Sequence, residues 1–486
     1  MSDTDVDRKA DRGFFGQPRP LATLFGVETW ERFSFYGMQG ILILYLYFSV
    51  ADGGLGIPKP TATGIVGAYG GAVYLATILG AWLADRVLGA ERTLFASAAV
   101  VMLGHIALAV LPGLVGVGVG LVLIALGSGG VKANSASILG MLYARGDTRR
   151  DAGFSLYYFG VNLGAFLGPL LTGLLQSTVG FHLGFGLAAV GMAAGLIQYA
   201  FGRKRLPDEA RTPANPLPAS RRPVMILIAV GAIVVIGILV ATGVIRVENL
   251  VVIVIGVVVV AAVIYFLRMI ADRAISSDER SRVVAFIPLF TVNAVFWSLY
   301  QQQFTVVPIY TDERLDRSVF GWEFPIPWVQ SINPVFILIL SLVFTAIWTR
   351  LGERQPGAPV KFALGAIVMG AAFLLFLPFS GTGSHGTPIL ALVGVILVFT
   401  IAELLISPPG LSASTKLAPD KYRTQMVALY YLSISLGTAA SGLLAGFYTP
   451  KVEVPYFLLL GGAAVVVGLV LLAFAKPVLK LMRGVR

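Results

Sequence analysis

The sequence predicts an all-α, polytopic protein that crosses a lipid bilayer many times. Hydrophobic residues make up 57% of its 486 residues and charged residues 13%, about half the charged share of an ordinary soluble domain. The apolar residues occur in uninterrupted runs of about 20 or more, the length that a helix needs to cross a bilayer about 30 Å thick. A β-barrel would show period-two alternation instead. These observations exclude a soluble enzyme of two or three domains and a disordered scaffold.

By this length criterion the chain contains fourteen candidate spans. They lie near residues 22–49, 63–87, 92–112, 115–144, 150–178, 181–203, 223–245, 249–269, 283–309, 326–350, 359–380, 387–415, 424–449 and 455–479. The seventh and eighth consist almost wholly of Val, Ile, Leu, Ala and Gly, which is typical of helices that face lipid. We interpret these two spans as an inserted hairpin. The other twelve spans then form a six-plus-six arrangement, in which substrate sites commonly form between the two halves.

Basic residues predict which side of the membrane each loop occupies, because cytoplasmic loops are rich in Lys and Arg. With both termini in the cytoplasm, about 29 of the 36 basic residues lie inside, and five lie outside: Lys59, Arg246, Arg314, Arg317 and Lys451. The predicted organisation is an N-terminal tail (1–21), a six-helix bundle (22–205), a cytoplasmic linker (206–222), the hairpin (223–270) and a second six-helix bundle (271–486). The fourteen-span layout with an inserted hairpin resembles that of bacterial inner-membrane proteins, and this resemblance implies that the protein lies in the plasma (inner) membrane.

Several kinds of chemistry are not expected from this composition. The net charge is +11, but the basic residues form short clusters between apolar runs, which argues against nucleic-acid binding. There are no cysteines, so disulfides and thiolate chemistry are excluded. The three histidines, His105, His182 and His385, are never at metal-ligand spacing. No nucleophile with an adjacent base is evident, so we expect neither an enzyme nor a metal or other cofactor.

Five charged residues lie inside predicted spans, where each costs about 2.5–3.5 kcal/mol and therefore needs a reason. They are Glu28, Glu31, Arg32, Lys132 and Glu403. At about 100° per residue, the first three share one helix face about 140° wide with Tyr36 and Gln39. A polar stripe on an otherwise apolar helix has to face a cavity or a partner helix.

The other two charges lie on different spans. Lys132 occurs in "GSGGVKANSAS", among residues small enough for close helix packing, and Glu403 is four residues before Ser407 on one helix face. Three acids against two bases would leave one buried carboxylate unpaired, so one group should take up a proton readily. The alternative is that these charges only hold helices together.

Prolines and one charged turn suggest moving parts. Pro408, Pro409 and Gly410 directly follow Ser407, and Pro334 follows Asn333. Each proline frees a backbone carbonyl and weakens its helix, so these positions are candidate gates, although many such prolines are static kinks. Asp85 and Arg86, within "GAWLADRVLGAER", lie between spans two and three, where we expect a conformational latch and no substrate contact.

Several of these segments resemble the proton-coupled oligopeptide transporter (POT) family of the major facilitator superfamily. "ETWERFSFYG" is similar to that family's first-helix motif E-x-x-E-R-F-x-Y-Y-G, and "LYYFGVNLGAFLGP" to its fifth-helix signature, which places Tyr158 and Asn162. "QSINPVFI" and "AELLISPPGLSASTKLAP" resemble its eighth and tenth helices. The resemblance covers nearly the whole chain and implies a major facilitator fold with an inserted two-helix hairpin.

The resemblance also implies roles for individual residues. Glu28, Glu31, Arg32 and Lys132 would couple transport to protons. Arg32 and Lys132 would lie near the carboxylate of a bound peptide, and Glu403 would receive its ammonium group. The implied substrate-binding residues are Arg32, Tyr36, Gln39, Tyr74, Lys132, Asn162, Trp297, Asn333, Glu403, Ser407 and Tyr430.

The chain departs from the family pattern at five positions: Phe35 for tyrosine, Gln39 for arginine, Ala133 for proline, Gln301 for an acid and Tyr430 for tryptophan. The first two reduce polarity near the expected carboxylate end, and Gln301 removes one potential salt bridge between the halves. These departures bear on peptide selectivity and on the outer gate, whereas the coupling cluster is complete.

The predicted function is proton-coupled symport that imports di- and tripeptides by alternating access. A zwitterionic peptide needs a cationic partner, an anionic partner and roomy apolar pockets, which matches the residue types above. Three alternatives stay open: uptake of nitrate or another anion by the same fold, drug antiport, and a membrane sensor that binds peptides without moving them.

Overall fold

The computed structural model describes residues 13–144 and 147–485, and it is almost entirely helical. In this part of the chain sixteen α-helices are present. They are α1 (Arg19–Tyr47), α2 (Lys59–Leu83), α3 (Ala90–Val110), α4 (Gly113–Met141), α5 (Arg150–Thr178), α6 (Phe181–Gly202), α7 (Arg222–Ala241), α8 (Leu250–Ala271), α9 (Ser277–Tyr300), α10 (Val306–Glu313), α11 (Ile332–Leu351), α12 (Ala358–Leu374), α13 (Ile389–Lys416), α14 (Arg423–Ala445), α15 (Glu453–Ala473) and α16 (Ala475–Leu481).

The predicted all-α membrane architecture is confirmed. Within the described residues, thirteen helical segments are long and apolar enough to cross a membrane. The helix α1 is 29 residues long but less apolar, because it carries Glu28, Glu31 and Arg32. Each of the fourteen predicted spans overlaps a helix. The predicted N-terminal tail lies mostly outside the described residues.

The ninth predicted span, 283–309, is not one continuous helix. The helix α9 ends at Tyr300, a 3₁₀ turn covers Gln301–Phe304, and α10 begins at Val306. Pro308 explains part of this interruption, because it has no backbone N–H for the carbonyl four residues earlier and its ring would clash with that carbonyl. Short 3₁₀ segments commonly bridge such junctions.

The prolines considered as helix breaks lie within helices. Pro408 and Pro409 are inside α13, which continues from Ile389 to Lys416. Pro334 is the third residue of α11, where the absent N–H costs nothing because first-turn donors have no helical acceptor. Pro408 and Pro409 therefore weaken α13 locally without ending it. A role of any of the three prolines in gating stays a prediction.

The contacts between helices divide the chain into two compact units. Among the described residues, unit 1 holds those through Gln39 together with those of 76–250, and unit 2 holds Gly40–Leu75 together with those of 251–485. The sequence-based boundaries of the two bundles remain a prediction. The end of α1 and most of α2 thus belong to unit 2 by their contacts, although residues 76–250 separate them from the rest of this unit in the sequence.

Each unit has its own apolar core. In unit 1, Leu24, Leu94, Ile138 and Tyr199 are among the fully buried side chains of one cluster. In unit 2, aromatic rings stack, with centroids 4.4 Å apart for Phe376 and Phe457. By contrast, α7 has no buried residue, as expected for a lipid-facing helix. The strands β1 (Ser318–Val319) and β2 (Trp322–Glu323) form a short antiparallel hairpin.

Candidate functional site

Three charged side chains of α1 form one buried ionic cluster in unit 1. The guanidinium of Arg32 donates two hydrogen bonds to Oε1 of Glu28, from Nε at 2.8 Å and from Nη2 at 2.6 Å. Nε of Arg32 is also 3.4 Å from Oε2 of Glu31. Arg32 and Glu28 lie four residues apart, the helical spacing that brings such side chains together. One cation is therefore shared by two carboxylates, and all three side chains are buried on α1.

The helix α4 contributes two residues, one helical turn apart, to this cluster. The hydroxyl of Ser128 donates a 2.8 Å hydrogen bond to Oε1 of Glu31. Lys132 lies four residues later, and its ammonium is 4.6 Å from the ring centroid of Phe35, where the negative face of the ring attracts a cation. It also interacts electrostatically with Arg32, Glu31 and Glu28. The cluster thus contains two cations and two carboxylates.

The helix α5 contributes to the same cluster through Tyr157. The hydroxyls of Tyr157 and Ser135 are 2.5 Å apart, and both interact with the carboxylate of Glu28. The predicted α5 residue Asn162 is buried, but its amide donates to the backbone carbonyl of Tyr158 at 2.9 Å. The side chain of Tyr158 is exposed.

The two remaining α1 residues differ in burial. The ring of Tyr36 is half-buried and packs edge-on against that of Phe35, with 5.3 Å between centroids. Gln39 is buried, and its Oε1 has no hydrogen-bond partner among the described residues. A buried amide oxygen without a donor is costly, so this position is suited to an incoming hydrogen-bond donor.

Unit 2 holds a second polar cluster around Glu403 on α13. The hydroxyl of Tyr300 on α9 donates to Oε2 of Glu403 at 2.6 Å and also lies 3.3 Å from Oδ1 of Asn333 on α11. The amide of Asn333 in turn donates to the hydroxyl of Thr400, one turn before Glu403, at 3.0 Å. The carboxylate is thereby held by three helices of unit 2.

Aromatic side chains surround this second cluster. The ring of Trp297 packs edge-on against that of Tyr300, 5.1 Å between centroids, and the ring of Tyr74 on α2 is 6.3 Å from Trp297. On α14, the hydroxyl of Tyr430 donates to the backbone carbonyl of Ser407 at 3.1 Å. That carbonyl directly precedes Pro408, so Tyr430 ties the proline-containing part of α13 to α14.

The predicted latch residues lie in a single π-helical turn, Ala84–Leu88, between α2 and α3. The linker runs along this turn: the amide of Asn215 donates to the carbonyl of Asp85 at 2.9 Å, and that of Leu217 to Arg86 at 2.8 Å. The carboxylate of Asp85 is at the surface. The side chain of Arg86 adds a further contact, because its Nη1 donates to the carbonyl of Asn215 at 3.3 Å. A latch function of the turn stays a prediction.

Five contributing residues were not singled out from the sequence: Ser128, Ser135, Tyr157, Tyr300 and Thr400. Ser128 had a usable signal, because it lies one helical turn before Lys132 and so shares its face. Tyr300 had a weaker one, three residues after Trp297 in "FWSLY". Among the described residues, no group of three or more His, Asp or Glu side chains is placed to hold a metal ion.

Apolar spanning helices in two units, each with ionisable side chains at mid-helix, define a membrane transporter, because such residues cost too much in lipid to be retained without function. A sequence profile of the POT family matches residues 91–457, and the chain belongs to this family. The fold and the family predicted from the sequence are thereby confirmed.

Relatives of known name support this assignment along the entire chain. A di-/tripeptide transporter of Lactococcus lactis subsp. cremoris is 42% identical over 494 aligned positions, covering 98% of this chain and 99% of the relative. A crystal structure of a peptide transporter POT in complex with sulfate superposes with a TM-score of 0.93 at 43% identity, covering 100% of both chains. A POT family transporter crystallised with 5-aminolevulinic acid gives 0.90 at 38% identity, covering 96% of this chain and 98% of the other.

Proposed function

We propose that the protein is a proton-coupled symporter that imports di- and tripeptides by alternating access. It would act in the plasma membrane with both termini in the cytoplasm, and it would need no cofactor besides the proton as coupling ion. The observation that carries the proposal is the pairing of Arg32 with both Glu28 and Glu31 inside a membrane-spanning helix. Protonating either carboxylate would weaken this pairing, and a peptide carboxylate could then take the released cation.

The peptide would be held through its two charged termini. Arg32 and Lys132 are the proposed partners of its carboxylate, because they are the two cations of the unit 1 cluster. Glu403 is the proposed partner of its ammonium group, oriented by the hydroxyl of Tyr300. The 5-aminolevulinic acid bound to one similar transporter carries the same two charged groups, an ammonium and a carboxylate. The proposed lining of the site consists of eight further residues: Tyr36, Gln39, Tyr74, Asn162, Trp297, Asn333, Ser407 and Tyr430.

The energy available from one proton suffices for concentrative uptake. One elementary charge crossing 100 mV releases about 2.3 kcal/mol, and a pH difference of one unit adds about 1.4 kcal/mol. Together these terms support roughly 500-fold accumulation for each proton moved. The cluster around Arg32 therefore needs to bind and release only one proton per cycle.

Uptake into proteoliposomes tests the proposal directly. Labelled dialanine should accumulate when an inward proton gradient is imposed and should only equilibrate when the gradient is absent. The Lys132→Ala variant should lose gradient-driven accumulation, whereas the Lys451→Ala control, an exposed lysine outside the clusters, should retain it. Normal accumulation by Lys132→Ala would refute the coupling role.

Counterflow separates this proposal from a peptide sensor. Liposomes loaded with unlabelled dialanine should draw in the labelled dipeptide without a proton gradient, because exchange requires only that the loaded carrier changes conformation. A sensor would bind dialanine and show no counterflow. Uptake of nitrate without competition by dialanine would instead support the anion-transport alternative, and proton-driven efflux of a cationic dye would support drug antiport.

A further inference from the structure

An excess of positive charge lies between α6 and α7, along residues 203–222. This stretch, called the basic segment here, contains six basic residues against two acidic ones, Asp208 and Glu209. Two of the six are used internally: Nε of Arg203 is 2.6 Å from Oε1 of the buried Glu91, and Nη1 of Arg211 is 2.6 Å from Oδ1 of Asp208.

The other four basic side chains are exposed: Lys204, Arg205, Arg221 and Arg222. In the part of the chain that the structure describes, none of the four forms an ion pair. Their charge is therefore available to a partner outside the protein chain.

The basic segment is held in place by other parts of unit 1. Its backbone is bonded to the Ala84–Leu88 turn through Asn215 and Leu217. Nη2 of Arg211 also donates to the carbonyl of Arg203 at 3.0 Å, closing a loop within the segment. The exposed basic residues lie at the two ends of this segment, next to the ends of α6 and α7.

The C-terminal end of the basic segment runs directly into α7, which has no buried residue along its whole length. The helix α7 has 20 residues and no buried one, and at 1.5 Å per residue it is about 30 Å long, the thickness of the hydrocarbon core. A groove of about 470 Å³ begins at this junction and is lined by Ala219, Arg222, Pro223, Ile226, Leu227 and Val230. One end of the groove therefore carries a guanidinium, and the remainder is aliphatic.

This combination fits an amphiphile with an anionic head. A phosphate group would be attracted by the four exposed cations, and an acyl chain would cover the aliphatic part of the groove. An acidic peptide or a nucleic acid would match the charge but would leave Ile226, Leu227 and Val230 without an apolar partner. Clusters of basic residues next to membrane spans attract anionic lipids by this electrostatic effect.

We propose that Lys204, Arg205, Arg221 and Arg222, with the groove along the start of α7, bind an anionic phospholipid of the adjacent leaflet. The site lies entirely within unit 1 and does not involve any of the proposed peptide-binding residues. It is independent of the proposed transport function, so failure of one leaves the other standing.

Native mass spectrometry of the full-length protein released from detergent micelles tests this site. The micelles are titrated with phosphatidylglycerol or with phosphatidylcholine of the same acyl chains. The unchanged protein should retain phosphatidylglycerol at lower concentration than phosphatidylcholine. The variant Lys204→Gln/Arg205→Gln/Arg221→Gln/Arg222→Gln should bind phosphatidylglycerol about tenfold more weakly or worse, since each basic residue contributes to the attraction, and should bind phosphatidylcholine unchanged.

Arg246 provides the matched control. It is exposed in the connection that follows the opposite end of α7, and its Nε donates to the carbonyl of Gly243. Arg246→Gln therefore removes one exposed positive charge outside the site. This variant should bind phosphatidylglycerol like the unchanged protein. The double variant Arg221→Gln/Arg222→Gln, which alters only the groove end of the basic segment, provides the same comparison if the quadruple variant does not fold.

Three results would overturn the proposal. The first is equal affinity of the unchanged protein for the two lipids. The second is undiminished phosphatidylglycerol binding by the folded double or quadruple variant. The third is displacement of the lipid by an equal concentration of inorganic phosphate or of a polyglutamate peptide, which would assign the basic segment to a soluble anion or to an acidic protein.

Discussion

Tyr47, the last residue of α1, donates a 2.7 Å hydrogen bond from its hydroxyl to Oδ2 of Asp312 near the end of α10. The next residue of α10, Glu313, forms an ion pair with Lys59, the first residue of α2. The ammonium of Lys59 is also 5.1 Å from the ring centroid of Tyr47. These two polar links join the α1–α2 connection to α10 within unit 2.

Removing both links should loosen the α1–α2 connection from α10. A hydrogen bond to a charged group contributes about 1.5–3 kcal/mol, whereas a partly exposed ion pair contributes at most about 1 kcal/mol. We expect Tyr47→Phe/Lys59→Gln to increase amide hydrogen exchange in residues 44–57 by about tenfold or more, since a factor of ten corresponds to about 1.4 kcal/mol. Lys451→Gln, which removes another exposed lysine, serves as the control. Unchanged exchange in the double variant would show that apolar packing alone holds this connection.

The Glu403 cluster offers a test that separates substrate binding from general stability. Tyr300→Phe removes the hydroxyl that donates to Glu403, so the carboxylate is less well oriented toward a peptide ammonium. We expect the KM for dialanine to rise about tenfold, which corresponds to about 1.4 kcal/mol, close to the net value of one such bond. Tyr456→Phe is the matched control, because the hydroxyl of Tyr456 donates to Gln302 at 2.6 Å. An equal rise in KM for both variants would contradict a specific role of Tyr300.

A surface cluster outside the spans predicts how stability depends on pH. Hydrogen bonds from Lys421, Tyr422 and the amide of Ala274 hold the pKa of Asp272 well below its usual value. Because the folded pKa is lower than the unfolded value of about 3.9, this carboxylate stabilises the fold above that pH, and the contribution is lost as the pH falls below it.

Thermal unfolding of the micellar protein between pH 3 and pH 7 measures this contribution. Asp272→Asn should lower the Tm at pH 7. The difference in Tm between this variant and the unchanged protein should become smaller as the pH decreases. Lys421→Gln, which removes the strongest of the three donors, should show the same trend with smaller amplitude, while Lys451→Gln should follow the unchanged protein. A Tm difference that stays constant across this range would refute the assignment to Asp272.

The fold was predictable because the bilayer imposes a simple length and composition rule on each span. This rule did not predict the interruption at Gln301–Phe304, because residues 283–309 are apolar enough to form one spanning helix. The break depends instead on the local backbone geometry near Pro308. The rule also gave no information about the groove at the start of α7, because the composition of α7 shows only that this helix can face lipid.

The candidate site was predictable where the partners share one helix. Arg32 and Glu28 are four residues apart, so helical periodicity alone places them in contact. The contact between Tyr300 and Glu403 joins residues more than one hundred positions apart, and no spacing rule predicts it. Ser128 was not recognised for another reason. Its immediate neighbours in "GSGGVKANSAS" are glycines, and a serine among glycines is also typical of a helix-packing surface.

Close backbone packing of α2 against α14 provides the last prediction. A Cβ atom added at Gly67 would lie 2.6 Å from Cα of Gly442 and 2.9 Å from the carbonyl oxygen of Ala439. These are backbone atoms, so the two helices would have to move apart to admit a methyl group. We expect Gly67→Ala to destabilise the protein by about 1–3 kcal/mol, the usual cost of overpacking, and to lower its Tm in micelles.

Gly64, one turn earlier on α2, is the matched control for this substitution. A Cβ atom there would be 3.6 Å from Cγ1 of Val251, an ordinary van der Waals contact, so Gly64→Ala changes helix propensity equally without a clash. It should leave the Tm unchanged or raise it slightly, because alanine favours the helix over glycine by about 1 kcal/mol. An equal rise in Tm for Gly67→Ala and Gly64→Ala would show that α2 and α14 are not in backbone contact at Gly67. Residues 40–75 would then not be packed against the rest of unit 2 at this point.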